Sequence, residues 1–174
     1  MKNNSFPTNL CFEKGMKRKM KIGFTIGKFA PLHKGHQYLI EKGIKEMDKF
    51  YVIVYETNVI DIPLEQRARW IKELYPEVNI LLAKNPPSQY GLDEKSVKIQ
   101  MDYLKNIIKD IPVTHFYNSE PYGKYVAKDL HIEEVQVDRL REKYAISGTK
   151  IRKNVNENKE YIEEIIYKDI KQKS

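Results

Sequence analysis

The chain has 174 residues and a formal net charge of +7, with 41% hydrophobic and 32% charged residues. This length and composition predict one soluble globular domain, and they exclude a membrane-spanning protein because no uninterrupted apolar run approaches the roughly 18 residues that a span requires. A single cysteine, Cys11, excludes an intrachain disulfide. Because the N-terminus also lacks a secretory signal pattern, we expect a cytoplasmic protein.

Basic residues are spread along the whole chain instead of forming one block. No recognition helix, zinc finger or aromatic RNA-binding signature accompanies them, so we expect no nucleic-acid partner and no membrane partner. Residues 1–20 predict a disordered N-terminal extension, with Met16 or Met20 as an alternative start, and residues 21–174 form the predicted domain. A homo-oligomer is compatible with the sequence.

Apolar segments with strand and helix periodicity alternate along residues 21–138. Short apolar runs predict buried parallel strands, and apolar residues at helical spacing predict covering helices. The predicted strands are 21–29, 50–55, 78–83, 114–118 and 133–138, and the predicted helices are 36–47, 64–75, 93–109, 122–130 and 157–171. This alternation indicates an α/β, Rossmann-like fold of about five parallel strands flanked by helices. Sheets of this kind bind ligands at the carboxyl ends of their strands.

The first motif, GKFAPLHKGH at 27–36, lies between the first strand and the first helix. His33 and His36 are three residues apart and share one face at the start of the helix, where free N–H groups and the helix dipole favour an anion. Lys28 adds a cation, and Gly35 allows close backbone approach. The motif therefore predicts a phosphate site that stabilises charge on an α-phosphate under attack.

Two other interpretations of the histidine pair remain open. A zinc site needs at least a third protein ligand, and the available candidates are His115, His131, Cys11 and scattered carboxylates. The pair could also be two ordinary histidines without a catalytic task. The phosphate interpretation is preferred because the location and the residue types agree.

The second motif, ISGTKIR at 146–152, follows the last predicted strand. Ser147 suits a helix N-cap, and Thr149 and Arg152 are again three residues apart at a helix start. Together with Lys150, these groups could hold β- and γ-phosphates. A Ser-Gly-Thr cap followed by a solvated arginine is the structural alternative.

The combination of HKGH after the first strand and ISGTKIR near the C-terminus resembles the HxGH nucleotidyltransferase superfamily. Within it, the segments GKFAPLHKGHQYLI, IPLEQRARWI, YNSEPYGKYVAKDL and EEVQVD look most like the nicotinamide-nucleotide adenylyltransferase domain of the NadR type. The resemblance implies transfer of the adenylyl group of ATP to nicotinamide mononucleotide, with Mg²⁺ bridging phosphate oxygens rather than bound by a protein metal site. It further implies catalytic roles for His33, His36 and Lys28, and ATP contacts from Gly27, Phe29, Gly35, Ser147, Thr149, Lys150 and Arg152.

Residues for the acceptor are less clearly indicated. Trp70 lies just off the apolar stripe of its helix, so it could stack on a pyridinium ring or could simply pack in the core. Arg67 or Arg69 could pair with the acceptor phosphate, although surface pairing with Glu65 or Glu73 explains Arg69 equally well. The fourth strand is followed by Ser119, Glu120 and Tyr122, which the resemblance suggests as nucleotide contacts and turn chemistry explains as a loop.

Other functions are also compatible with the sequence. One is adenylyl or cytidylyl transfer to a different phosphate acceptor, such as phosphopantetheine, FMN or glycerol phosphate. Another is a non-catalytic module that senses nucleotides, against which the intact histidine pair argues. The chain differs from complete NadR proteins, since it lacks the GxxxxGK[ST] loop of a kinase domain and room for a helix-turn-helix domain.

Overall fold

The computed structural model of the protein describes residues 18–89 and 91–173. Most of the predicted N-terminal extension, including Cys11 and Met16, lies outside the described residues. Five strands are described: β1 (Ile22–Gly27), β2 (Lys49–Tyr55), β3 (Asn79–Ala83), β4 (His115–Asn118) and β5 (Glu133–Gln136). The α-helices are α1 (Lys34–Glu46), α2 (Leu64–Leu74), α3 (Glu94–Ile108), α4 (Gly123–Leu130), α5 (Gly148–Lys153) and α6 (Glu164–Lys173), and a 3₁₀ turn covers Lys159–Tyr161.

The strands form one parallel sheet in the order β3-β2-β1-β4-β5. The chain winds outward from β1 through β2 to β3 and then crosses to the other side of β1 for β4 and β5. The direction of winding therefore reverses between β1 and β4. In an open parallel sheet, the carboxyl ends of the strands at such a reversal form a crevice that binds ligands.

Alternate residues of the central strands enter two different hydrophobic clusters. Val52 and Val54 pack in the cluster that includes residues of α1, α2 and α6, whereas Ile53 packs in the cluster of α3 and α4. In β4, Phe116 packs in the cluster of α3 and α4, and the adjacent Tyr117 packs in the cluster on the opposite face. Because side chains alternate across a strand, the continuous apolar run at 50–55 fills both faces of the sheet, as predicted.

The structure confirms the predicted α/β fold and shifts several boundaries. The first helix begins at Lys34 rather than at residue 36, because His33 acts as its N-cap. The last strand ends at Gln136 instead of 138, since Asp138 adopts a left-handed φ of 48° that turns the chain. The predicted helix 157–171 begins only at Glu164 and is preceded by the 3₁₀ turn. Within the described part of the chain, no helix combines the length and apolarity that a membrane crossing would need.

Candidate active site

A cavity of about 780 Å³ opens at the carboxyl edge of the sheet. Its lining includes Lys28 after β1, Tyr55 at the end of β2, Asn118 at the end of β4 and Asp138 after β5. This volume falls within the range of about 300–1,000 Å³ that is usual for small-molecule sites. The cavity therefore lies where the reversal of the sheet predicts a ligand.

The two histidines of the first motif meet at the start of α1. Their rings stack with centroids 3.7 Å apart, and His33 Nδ1 accepts a hydrogen bond from the His36 backbone N–H at 3.4 Å. Gly35 favours this stacking, because a Cβ at that position would lie 3.1 Å from the His33 ring, closer than an ordinary van der Waals contact. The rings of Phe29 and His36 are arranged edge to face, with centroids 4.9 Å apart. The spacing of HKGH thus places two imidazoles on one helix terminus.

Both histidines are neutral near pH 7. Burial, and then the positive charge of Arg141, lower the pKa of His33 to about 4. The pKa of His36 is also lowered, mainly by burial and then by electrostatic interaction with His33 and Arg141. Since His33 Nδ1 acts as an acceptor, its ring proton is assigned to Nε2. Each neutral ring can therefore offer one N–H to a phosphate oxygen.

Titration of His33 makes stability depend on pH. Because its pKa is about 4 when folded and near 6.5 when unfolded, the unfolded chain binds more protons between these values. The free energy of unfolding is therefore expected to fall as the pH drops from about 6.5 towards 4. The measurement is urea unfolding at pH 7.5 and pH 5.

The variant His33→Asn provides the matched control for this experiment, because asparagine preserves a capping acceptor but does not titrate. Titration of carboxylates lowers the stability of both proteins at low pH. The difference between the two losses of unfolding free energy therefore reports the contribution of His33. The wild type should lose more stability than the variant. An equal loss in the two proteins would contradict the low pKa of His33.

The second motif contacts the first one directly. Ser147 is the N-cap of α5 and accepts a hydrogen bond from the Lys150 backbone N–H at 3.2 Å, as predicted. Arg152 Nη1 donates to the backbone carbonyl of Ala30, and its Nη2 donates to Thr149 Oγ1 at 3.1 Å. The two motifs, 110 residues or more apart in sequence, therefore form one surface of the cavity.

Gly148 permits this close approach. A Cβ at Gly148 would lie 3.0 Å from the Ala30 carbonyl oxygen and 3.0 Å from Arg152 Nη1. Both distances are shorter than ordinary van der Waals contacts, so a side chain here would crowd the contact between the two motifs. The glycine of the ISGTKIR motif is thus explained by contact between motifs as well as by helix capping.

Most residues predicted for the site line the cavity. The structure brings together Gly27, Lys28, Phe29, His33, Gly35, His36, Ser119, Glu120, Tyr122, Ser147, Thr149 and Arg152. Three predicted residues, Lys150, Arg67 and Trp70, are absent from the described lining. The Lys150 side chain is exposed at the surface, and α5 reaches the cavity through its other residues instead.

The prediction that Trp70 projects into the cleft is wrong. Trp70 is fully buried, and its Nε1–H donates to Asp169 Oδ2 of α6 at 2.7 Å. Trp70 shares one hydrophobic cluster with Ile166 of the C-terminal helix α6, so the indole packs in the core. The alternative given above, a packing tryptophan, is the one observed.

The prediction that Arg67 pairs with an acceptor phosphate also fails in this structure, because its side chain is fully buried and bonds to backbone carbonyls. Arg69 forms a surface pair with Glu73 at 3.4 Å and with Asp169 at 3.6 Å. Neither arginine of α2 is among the residues that line the cavity.

Sequence reasoning missed Arg141, which lines the cavity and lies close enough to both histidines to influence their pKa values. Its guanidinium donates to the Ile146 carbonyl at 3.1 Å and pairs with Glu120 at 3.4 Å. Its backbone has a left-handed φ of 54°. The rule that ligands bind beyond the carboxyl ends of strands points to the segment after β5, in which Arg141 lies, but not to this residue in particular.

The remaining wall of the cavity is largely apolar. It includes Val97, Met101 and Leu104 of α3, together with Leu92 and the tyrosine Tyr125. The site thus combines a polar end, which carries the two histidines and Arg152, with an apolar wall, as is usual for small-molecule sites.

Comparisons with known proteins agree with this geometry. Residues 24–154 match the family model described as cytidylyltransferase-like. The trifunctional NAD biosynthesis/regulator protein NadR of Escherichia coli (strain K12) is 30% identical over 164 residues, which cover 84% of this chain and 40% of that protein. The chain therefore spans well under half the length of its NadR relatives.

Two further comparisons concern a shorter relative and a solved structure. The phosphopantetheine adenylyltransferase of Mycoplasma capricolum subsp. capricolum (strain California kid) is 37% identical over 138 residues, covering 76% of this chain and 95% of that enzyme. A crystal structure of NadR in complex with NAD and AMP-PNP is 25% identical with a TM-score of 0.56, covering 82% of this chain and 44% of that chain.

Proposed function

The chain belongs to the cytidylyltransferase-like family of HxGH nucleotidyltransferases, and we propose that it transfers the adenylyl group of ATP to nicotinamide mononucleotide, giving NAD and pyrophosphate. An enzyme of the nucleotidyltransferase type follows from the family. The observation that carries the proposal is the meeting of the His33–His36 pair with Arg152 at one end of the cavity. Similarity to NadR over 84% of the chain supports the choice of acceptor.

In the proposed reaction, an oxygen of the acceptor phosphate attacks the α-phosphorus of ATP in line with the departing pyrophosphate. A phosphate monoester has a second pKa of about 6, so the acceptor is already ionised and needs no strong base. The neutral histidines then donate hydrogen bonds to the α-phosphate as its charge builds up. Lys28 and Arg152 hold the other phosphates, and no covalent enzyme intermediate forms.

Magnesium is proposed to accompany ATP. Among the described residues, no group of three or more His, Cys, Asp and Glu side chains is arranged to hold a metal ion. The carboxylates in the described lining are Glu120 and Asp138, and Asp138 already accepts two backbone N–H groups. This donor set fits a hydrated ion held mainly by phosphate oxygens, and such an ion would neutralise triphosphate charge when bound.

A second candidate acceptor is phosphopantetheine. The apolar wall of Val97, Met101 and Leu104 suits an uncharged, flexible arm, and the relative from Mycoplasma capricolum is similar over nearly its whole length. Transfer to this acceptor would use the same histidines and the same phosphate contacts. The two candidates therefore differ in the acceptor alone.

The reverse reaction separates these candidates. The protein is incubated with pyrophosphate, Mg²⁺ and either NAD or dephospho-coenzyme A, and the ATP formed is measured with luciferase. We expect ATP from NAD and much less from dephospho-coenzyme A. A preference for dephospho-coenzyme A would replace the proposed acceptor with phosphopantetheine, and binding of ATP without turnover in either case would indicate a nucleotide sensor.

A further inference from the structure

Arg67 is the buried cation of α2, and its surroundings are unusual. The residue is fully buried, yet within the described residues no carboxylate forms an ion pair with it. Its Nε donates to the Ile62 carbonyl at 3.2 Å, and its Nη1 donates to the carbonyls of Tyr55, at 2.9 Å, and Lys28. A single guanidinium thus joins three separate segments of the backbone.

Stability alone is a weak reason for such an arrangement. Burying a guanidinium costs several kcal/mol of hydration free energy, and well-packed apolar residues often replace buried ions without loss of stability. Nη2 is buried and has no hydrogen-bond partner among the described residues, which adds to the cost. A functional reason is therefore worth seeking in the segments that the guanidinium joins.

Two of these three segments belong to the active site. Lys28 and Tyr55 both line the cavity, one after β1 and the other at the end of β2. Arg67 itself is absent from the described lining, so it contacts the backbone of these residues from behind the cavity wall. It is placed to fix the spacing between the exits of the two strands.

The loop after Lys28 is held at a second point by Arg152, which donates to the Ala30 carbonyl. Phe29, between the two held carbonyls, has a left-handed φ of 47°. A non-glycine residue keeps such a conformation only when its surroundings impose it. The two arginines supply that constraint from opposite ends of the segment 28–30.

Peptide geometry links this constraint to substrate. The Lys28–Phe29 peptide is trans, so its N–H points away from its carbonyl. Because Arg67 holds the Lys28 carbonyl from behind the wall, the Phe29 N–H points to the side of the peptide opposite Arg67. A backbone N–H fixed in this way is an anion donor that needs no rearrangement when charge develops.

We propose that Arg67 is a positioning residue for nucleotidyl transfer: its guanidinium holds the Lys28 carbonyl against the end of β2 and so orients the Lys28–Phe29 peptide towards the phosphates of the substrate. The inference rests on the proposed function for its kinetic consequence. Its structural part, the orientation of the Phe29 amide, is independent of the acceptor. Arg67 touches no substrate itself.

The variant Arg67→Met tests this assignment, with Arg69→Met as the matched control on the exposed side of the same helix. Methionine keeps an unbranched apolar stem and removes every donor. We expect kcat to fall about 100-fold in Arg67→Met, while the Kd for ATP changes little. A loss of about this size is typical when a reacting group is displaced by about 1 Å. Arg69→Met should retain the wild-type kcat.

A second readout does not depend on turnover. In protein labelled with ¹⁵N-phenylalanine, the Phe29 amide resonance should shift on addition of ATP in the wild type and in Arg69→Met, and should shift much less in Arg67→Met. An unchanged kcat, or an unchanged Phe29 response, in folded Arg67→Met would overturn the proposal. If the wild type shows no turnover but the Phe29 responses differ as expected, the proposed function fails and the orientation of the peptide stands.

Folding is checked by circular dichroism and thermal unfolding. If Arg67→Met does not fold, Arg67→Lys keeps the charge but has a single nitrogen, which cannot join three carbonyls. A folded lysine variant with a low kcat and an intact Kd for ATP supports the positioning role. Loss of the folded state in both variants would assign Arg67 to stability alone and would overturn the proposal.

Discussion

Replacing His36 with asparagine is expected to lower the rate of pyrophosphate release by about 100- to 1,000-fold, the usual cost of losing one preorganised donor in an active site. His36 lines the cavity, stacks on His33 and contacts Phe29. Its burial lowers its pKa, so the side chain acts as a neutral donor near pH 7. The Kd for ATP should change far less than kcat, because the interaction strengthens as charge builds up on the α-phosphate.

The matched control is His131→Asn, at an exposed histidine that ends α4 with a left-handed φ of 53°. Asparagine tolerates that conformation, so the control should fold and should keep wild-type turnover. Steady-state rates of pyrophosphate release and the Kd for ATP are measured for both variants. A folded His36→Asn protein that retains more than about a tenth of the wild-type rate would contradict the catalytic role. Removing one preorganised hydrogen-bond donor normally lowers the rate by more than about tenfold.

The largest expected effect on stability comes from Trp70→Ala. Trp70 is fully buried and links α2 to α6 through its hydrogen bond to Asp169. Removing a buried tryptophan side chain typically costs about 3–5 kcal/mol, because the surroundings collapse only partly into the cavity that is left. A loss of this size is a large part of the usual 5–15 kcal/mol of a folded domain. Urea unfolding followed by circular dichroism measures it.

The variant Trp70→Phe separates packing from substrate stacking. It keeps an aromatic ring but removes the indole N–H, so it should fold with a smaller loss of stability than Trp70→Ala. Its KM for nicotinamide mononucleotide should match that of the wild type, because Trp70 packs against α6 and is absent from the described cavity lining. A KM that rises strongly in a stable Trp70→Phe protein would restore the stacking role that the structure contradicts.

The order of strands and helices could be predicted because each element carries a local signal. The run at 50–55 is apolar throughout, and the structure shows that Val52 and Ile53 do face opposite sides of the sheet. The start of the first helix depends on a capping side chain, and histidine is not among the residue types that usually cap helices, so the sequence does not indicate His33 as the N-cap. The β5 boundary was missed because Asp138 takes a left-handed conformation, which few residues other than glycine adopt.

The two motifs of the site could be placed from sequence because both follow strands and start helices. The roles of Trp70 and Arg67 could not be predicted from sequence, because these roles depend on contacts with segments far away in the chain. Trp70 meets Asp169 of α6 across 99 positions, and Arg67 meets Lys28 across 39. Periodicity gives the side of a helix on which a residue lies, but it does not give the element that covers that side.

Arg141 illustrates a different limit. It lies in a segment without regular secondary structure, where the Asp138 carboxylate accepts the backbone N–H groups of residues 143 and 144 and folds the chain back to the cavity. The sequence offers no periodic pattern there. Its position after β5 was the remaining signal, and that signal does not distinguish it from Arg139.

The central claim is adenylyl transfer to nicotinamide mononucleotide, and the most direct test is to identify the product of the forward reaction. The wild-type protein is incubated with ATP labelled at the α-phosphate, Mg²⁺ and nicotinamide mononucleotide, and the products are separated and identified by mass spectrometry. We expect labelled NAD and unlabelled pyrophosphate in equal amounts. The variant His36→Asn should form both products much more slowly. Folded protein that binds ATP but gives no labelled NAD would contradict the claim.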